Sequence, residues 1–359
     1  MKNIEALFPG TRQVTYLNTP AVGLLSQPVH AFRVQQLDEL YHKGSRYFER
    51  NFGVLDEVRE SIAEAFNTDP ARTALMPAFT FGQNAIMESI APGSKILLLK
   101  EDYPSVNKAV ESRDFDITYA TIDAHLEANI QKEFEASQPD VFVFSIVQYL
   151  NGIKIDLAMI NALKERYTET LFIDDGTQYL GQERFDFKAS GIDILGASSY
   201  KWINAGFGNA FFTFKPGVEE KIAPKLLGFG STMGKYKEAG DTLIGRFEGS
   251  HLDNANLGSI AVGLRVQQEV GLAEIETKVS ALAASAKEEF TALGLLEEAV
   301  MHRDQHSPIF NLKGDEALFN TLEQHDILTS QRGAGIRVGF HYYNSWDDLE
   351  KLLAVLRAS

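Results

Sequence analysis

Lys201 stands between two apolar runs, residues 192–197 and 209–214, with a glycine-bearing turn, Asn204-Ala205-Gly206-Phe207-Gly208, just after it. A lysine so placed lies near the end of a buried strand. Burial strips water from its ammonium, lowers its pKa and leaves a free amine able to form a Schiff base with an aldehyde. Upstream, Leu171-Phe172-Ile173 runs into Asp174-Asp175-Gly176-Thr177-Gln178. An acid at the carboxyl end of a parallel strand faces the ligand crevice of an α/β sheet. The natural aldehyde for such a lysine is pyridoxal 5′-phosphate (PLP). PLP needs a carboxylate against its pyridine nitrogen, so that the ring works as an electron sink, and N–H groups and hydroxyls for its phosphate. It also needs a ring to stack on it and a cation for the substrate carboxylate. Asp175 is the candidate for the ring nitrogen and Gln178 for the ring hydroxyl. The competing reading is a strand-end Asp that only caps its turn.

Other segments offer the remaining parts. Ala78-Phe79-Thr80-Phe81-Gly82-Gln83-Asn84 precedes a helical pattern over residues 85–90. The first N–H groups of a helix lack intrahelical partners and point at an anion. Thr80 adds a hydroxyl there, or serves as an ordinary N-cap. Residues 96–99 form an apolar strand that ends in Lys100-Glu101-Asp102-Tyr103-Pro104, and residues 141–145 form another, leading to Val147-Gln148-Tyr149-Leu150-Asn151-Gly152. Further on come Phe247-Glu248-Gly249-Ser250-His251 and Gly335-Ile336-Arg337-Val338-Gly339-Phe340-His341-Tyr342-Tyr343-Asn344.

Asp-x-x-Gln followed by Ser-x-x-Lys, with these segments in this order, resembles the aminotransferase class V family of fold-type I PLP-dependent enzymes. That family includes cysteine desulfurases, selenocysteine lyases, kynureninases, isopenicillin N epimerase-like proteins and transaminases. The Ser199-Tyr200-Lys201 core is similar to the kynureninase version, whereas desulfurases carry His where Tyr200 stands. The resemblance runs over roughly residues 16–345. It implies Lys201 as the Schiff-base lysine, Asp175 as its ring-nitrogen partner and Tyr103 as the stacking ring. Thr80, Phe81, Gln178, Ser198 and Tyr200 complete the expected cofactor cradle. Ser250 is expected at the phosphate of a partner subunit, Asn151 at the substrate, and Arg337 on the substrate α-carboxylate. A guanidinium suits that last task because its planar fork pairs both carboxylate oxygens.

The elements that must position these residues alternate. Helical patterns fall near residues 55–66, 83–90, 156–167 and 261–292. Apolar strands fall near 96–99, 141–145, 171–174, 193–197 and 210–214. That alternation implies an α/β fold with a mainly parallel sheet covered on both faces. The resemblance adds a seven-stranded large PLP domain, residues 16–240, and a smaller α+β domain from residues 1–15 and 241–359. It also implies a homodimer with active sites at the interface.

Composition narrows the function. A chain of 359 residues, 44% hydrophobic, can bury a large core. Its net charge of −15 argues against nucleic-acid and anionic-membrane partners. No stretch has the apolar length of a membrane span, the first residues lack a signal peptide's apolar core, and a cytoplasmic location follows. The chain has no cysteine, which excludes disulfides, thiolate metal sites and the thiol by which desulfurases accept sulfur. His302 and His306 have a ligand-like spacing but sit in a polar segment ending at Pro308, so a solvated loop without metal is expected. Phe79, Phe81, Phe207 and Phe229 read as core. The expected activity is amino-acid transamination. The alternatives are a PLP lyase or epimerase of kynureninase, selenocysteine lyase or isopenicillin N epimerase type, and a PLP-binding protein without turnover. Lys201 and Arg337 together argue against the last.

Overall fold

The computed structural model describes residues 4–49 and 51–358; residues 1–3 of the expected N-terminal arm lie outside them. In chain order the strands are β1 (Thr15–Tyr16), β2 (Thr73–Met76), β3 (Lys95–Leu99), β4 (Asp116–Ala120), β5 (Val141–Ser145), β6 (Leu171–Asp175), β7 (Ile194–Ser198), β8 (Ala210–Phe214), β9 (Ile309–Lys313), β10 (Ile327–Leu328), β11 (Ser330–Arg332) and β12 (Gly335–Gly339). Seven form one sheet in the order β2-β8-β7-β6-β5-β3-β4. Only β8 runs against the rest: it is antiparallel to both β2 and β7, and the other pairings are parallel. β5 to β8 are buried at every residue. Helices on both faces account for that burial and for strands that read as continuous apolar runs rather than alternating ones.

β9, β11 and β12 form a separate antiparallel sheet, while β1 pairs with β10. Asn18 bridges to Gly339, which ties the N-terminal segment to the end of β12. Among the described residues no helix is long and apolar enough to cross a membrane.

Three elements differ from the sequence pattern for physical reasons. The pattern over 261–292 is two helices, Asn254–Val270 and Leu272–Ala292, broken at Gly271, whose φ of 102° is left-handed. The helix Gln27–Lys43 was not legible because it buries only Val29 and Gln36 and leaves Val34, Leu37, Leu40 and Tyr41 exposed, so it has no clear apolar stripe. The helix expected from residue 83 begins at Phe79, and Gly82 lies inside it.

Gly82 is explained by packing rather than by a turn. A Cβ there would come within 2.1 Å of the Phe212 ring, which is fully buried on β8. Gly82→Ala gains about 1 kcal/mol of helix propensity. Overpacking a core that cannot yield costs about 1–3 kcal/mol. A net loss of about 1–2 kcal/mol is therefore expected, read as a lower denaturation midpoint at unchanged m-value. A stabilised variant would mean that Phe212 can move aside.

Candidate active site

The carboxyl ends of β2, β3, β5, β6 and β7 open on one edge of the sheet, where α/β folds bind ligands. Lys201 follows β7 and is only 5% exposed. Among the described residues its Nζ makes no hydrogen bond; it lies 5.5 Å from the ring centroids of both Tyr103 and Tyr200. Burial pushes its pKa down to about 7; the Asp175 carboxylate opposes the shift, and the Arg337 and Arg332 charges add to it.

Asp175 ends β6, beside β7. Its Oδ1 accepts the Thr177 N–H at 2.9 Å, and Thr177 Oγ1 accepts the Ser198 N–H at 2.9 Å, so the acid and the strand leading to Lys201 are held as one unit. Burial raises the Asp175 pKa, while Thr177 and Lys201 pull it back. Neighbouring Asp174 points to the other face, where Oδ1 takes the Ile146 N–H at 2.9 Å. Burial first, and the Asp175 charge second, drive its pKa strongly upward.

Asp102 was not singled out from sequence. One oxygen accepts the Tyr103 N–H at 2.7 Å and the other the Ser145 N–H at 2.8 Å. It thereby fixes the Tyr103 loop to the end of β5, and burial pushes its pKa up to about 6. The Tyr103 ring meets Tyr149 edge-on at 5.3 Å. The Tyr149 carbonyl in turn accepts a 2.8 Å bond from the Arg337 guanidinium on β12. Arg337 is 3% exposed, and its Nε is without a partner. Burial first and Arg332 second bring its pKa down to about 10.

The helix Phe79–Met87 has Ala78 as its N-cap residue, which offers no capping side chain; Ser198 Oγ accepts the Phe79 N–H at 3.4 Å. Thr80 is exposed and donates to Ser105 Oγ at 2.9 Å. A helix start without a cap from its own N-cap residue, next to the Ser198 and Thr80 hydroxyls, offers donors that suit an anion. With a free buried amine, an acid behind it, an aromatic beside it and an unsaturated guanidinium opposite, the residues present fit PLP and an amino-acid carboxylate.

Several expected residues have other partners. Gln178 is spoken for within the protein: its Nε2 donates to the Pro20 carbonyl at 2.9 Å, and its Oε1 accepts the Trp202 indole N–H at 2.8 Å. It braces the lysine loop rather than standing free for a ring hydroxyl. Asn151 Oδ1 accepts the Ile153 N–H of its own turn at 3.2 Å, and the residue lines an adjoining cleft with Lys100 and Gln148. Phe81, Phe207 and Phe229 are more than half exposed, so only Phe79 of the four aromatics is core. Phe207 lies against the Tyr200 ring at 4.9 Å. Ser250 is exposed beside Glu248, a buried carboxylate that holds Arg59 and, at 2.8 Å, Lys237. His306 is not solvated: it stacks on Phe310 at 4.8 Å, contacts the Asn151 carbonyl at 2.8 Å, and burial takes its pKa to about 4. Among the described residues no cluster suited to a metal ion occurs.

The Lys201 shift makes a pH-dependent expectation. Only the unprotonated amine attacks an aldehyde, and a solvated lysine is half unprotonated near its ordinary value of 10.5. The rate at which cofactor-free protein captures PLP should rise with pH to a midpoint near 7 and then level. By linkage, the unfolded chain holds this proton between about 7 and 10.5 while the folded chain does not, so this group makes stability rise with pH across that window. A capture rate still climbing at pH 10, in stopped-flow measurements, would contradict the buried-amine assignment.

The fold and these groups define a PLP-dependent α/β enzyme. The family model described as aminotransferase class-V matches residues 16–359, and the chain belongs to that family. Its cofactor is therefore PLP. The chain is 22% identical over 360 residues to an uncharacterized aminotransferase, YcbU, of Bacillus subtilis, covering 98% of this chain and 96% of that protein. It is 26% identical over 175 residues to the cysteine desulfurase IscS of Haemophilus influenzae, 46% of this chain and 43% of that one. In structure it is similar to the apo cysteine desulfurase of Thermococcus onnurineus, with a TM-score of 0.85 at 17% identity, covering 99% of this chain and 97% of that chain. It is also similar to the cystine C–S lyase C-DES in complex with cysteine persulfide, with a TM-score of 0.85 at 20% identity, covering 97% and 98%.

Proposed function

We propose that the protein is an amino-acid aminotransferase in which Lys201 carries the cofactor. The observation that supports this most is the placement of Asp175 at the end of β6 and of Lys201 just after the adjacent β7, with the buried, half-satisfied Arg337 on the smaller sheet. Bound PLP supplies a ring that stabilises negative charge at the substrate Cα. Arg337 grips the α-carboxylate and fixes which Cα bond is presented. Lys201 Nζ, whose pKa burial lowers to about 7, takes the Cα proton and later returns one. Asp175 keeps the ring nitrogen protonated, and Tyr103 holds the ring plane. The N-terminus of the helix Phe79–Met87, with Ser198 and Thr80, receives the phosphate. Tyr200, wedged between Lys201 and Phe207, walls the site.

A chain without cysteine carries no thiol to accept sulfur, so desulfurase chemistry by persulfide transfer is not part of this reading, despite the desulfurase relatives. The same reading makes the enzyme a cytoplasmic homodimer, with the exposed Leu226, Leu227 and Phe229 covered by the second copy and Ser250 directed at that copy's phosphate. The test is to incubate the PLP-loaded protein with a panel of amino acids and assay the products. Stoichiometric keto acid without ammonia supports transamination. Alanine, ammonia or an inverted amino acid would assign the lyase or epimerase alternative instead. No product from any amino acid would refute both.

A further inference from the structure

The hairpin that carries Arg337 holds a second guanidinium. β11 and β12 pair with Ser330 opposite Arg337 and Arg332 opposite Gly335. Residues directly opposite share a face of the sheet, and so do residues two apart on one strand. Arg332 and Arg337 are therefore diagonal neighbours on one face. The other two corners of that patch are Ser330 and Gly335, neither of which carries a charge to offset the two cations. Gly333, Ala334 and Gly335, the turn and strand start between the two arginines in the chain, line a cleft of about 470 Å³.

Two cations this close repel, and a fold normally inserts a carboxylate between them. Among the described residues neither arginine is in an ion pair. Arg337 is buried with an unpartnered Nε. Arg332 is exposed and donates only to the carbonyl of its own neighbour, Gln331, at 3.1 Å. Its backbone is held: the Asn311 side chain donates to the Arg332 carbonyl at 2.9 Å. The charge of Arg332 reaches the reacting groups, since it depresses the pKa of both Arg337 and Lys201. One α-carboxylate satisfies Arg337 and leaves the second cation unmatched.

We propose that Arg332 is the specificity-determining residue of this site, and that the preferred substrate is a dicarboxylic amino acid whose side-chain carboxylate pairs with Arg332 while Arg337 holds the α-carboxylate. The proposal deepens the aminotransferase reading and rests on it for the placement of the substrate.

Two measurements on PLP-loaded wild-type and Arg332→Gln protein test it. The first compares kcat/KM for aspartate and glutamate with that for asparagine and glutamine. A charge-assisted pair is expected to favour each acid over its amide by about 10- to 100-fold. In Arg332→Gln that ratio should collapse toward one. Equal use of acid and amide by the wild type would overturn the proposal. So would a variant that loses acid and amide by the same factor, the mark of a merely structural arginine. The second is calorimetric titration with glutarate and with butyrate, which need no chemistry. Tighter glutarate binding that disappears in Arg332→Gln supports the proposal even if no amino acid is turned over, in which case only the aminotransferase reading falls. Turnover of amino acids without any acid preference sinks the Arg332 proposal alone.

Discussion

Lys201→Ala should abolish the Schiff-base absorbance of the PLP-loaded protein and lower turnover on the order of 10⁴-fold, the loss of both its covalent and its proton-transfer work. The fold should survive. Lys201 is buried, yet its Nζ has no hydrogen-bond partner among the described residues, so truncation orphans nothing. Burial already penalises its charged form. Removing such a group relieves a desolvation penalty while losing some packing against Tyr103 and Tyr200. A thermal melt close to wild type, with the absorbance band gone, is the expected pair of results. An unchanged band would move the cofactor to another lysine, and the mechanism with it.

Asp175→Asn should lower turnover on the order of 10³-fold while leaving the Schiff base in place. The substitution is nearly isosteric, and an amide oxygen can still accept the Thr177 N–H that Asp175 Oδ1 takes at 2.9 Å. What it removes is the negative charge that holds a proton on the pyridine nitrogen. A second readout separates this from simple disorder. The Asp175 charge raises the Lys201 pKa, against the larger effect of burial. Without it the amine should lose its proton more easily, so the pH midpoint for PLP capture should move below the wild-type value of about 7. Full activity, or a midpoint that moves upward, would refute the pairing of these two groups.

The most legible residues in the sequence were those at the ends of buried runs. Asp175 and Lys201 close β6 and follow β7, two apolar segments whose ends a parallel sheet must bring to one edge. Tyr103 was legible in the same way, after β3. The seven-stranded sheet was foreseen, but two of its strands were not. β2 has only four residues, and β4, at the sheet edge, is partly exposed, so neither shows a long apolar run. Side-chain partners were the least legible part. Gln178 is held by Trp202 and Pro20, and only tertiary folding brings Pro20 to it. His306 looked like part of a polar loop because its neighbours are polar, yet it packs on Phe310 of β9. Arg332 carried no motif of its own. Its relation to Arg337 appears only once the β11–β12 register sets both on one face.

Borohydride reduction of the PLP-loaded protein, followed by proteolysis and mass spectrometry of the peptides, tests the central assignment most directly. Reduction turns the reversible imine into a stable secondary amine and marks the lysine that held the cofactor. A pyridoxyl mass confined to the peptide containing Ser199-Tyr200-Lys201-Trp202, with fragment ions placing it on Lys201, is the expected result. A pyridoxyl group on a different lysine, or none under conditions where PLP is bound, would contradict the account.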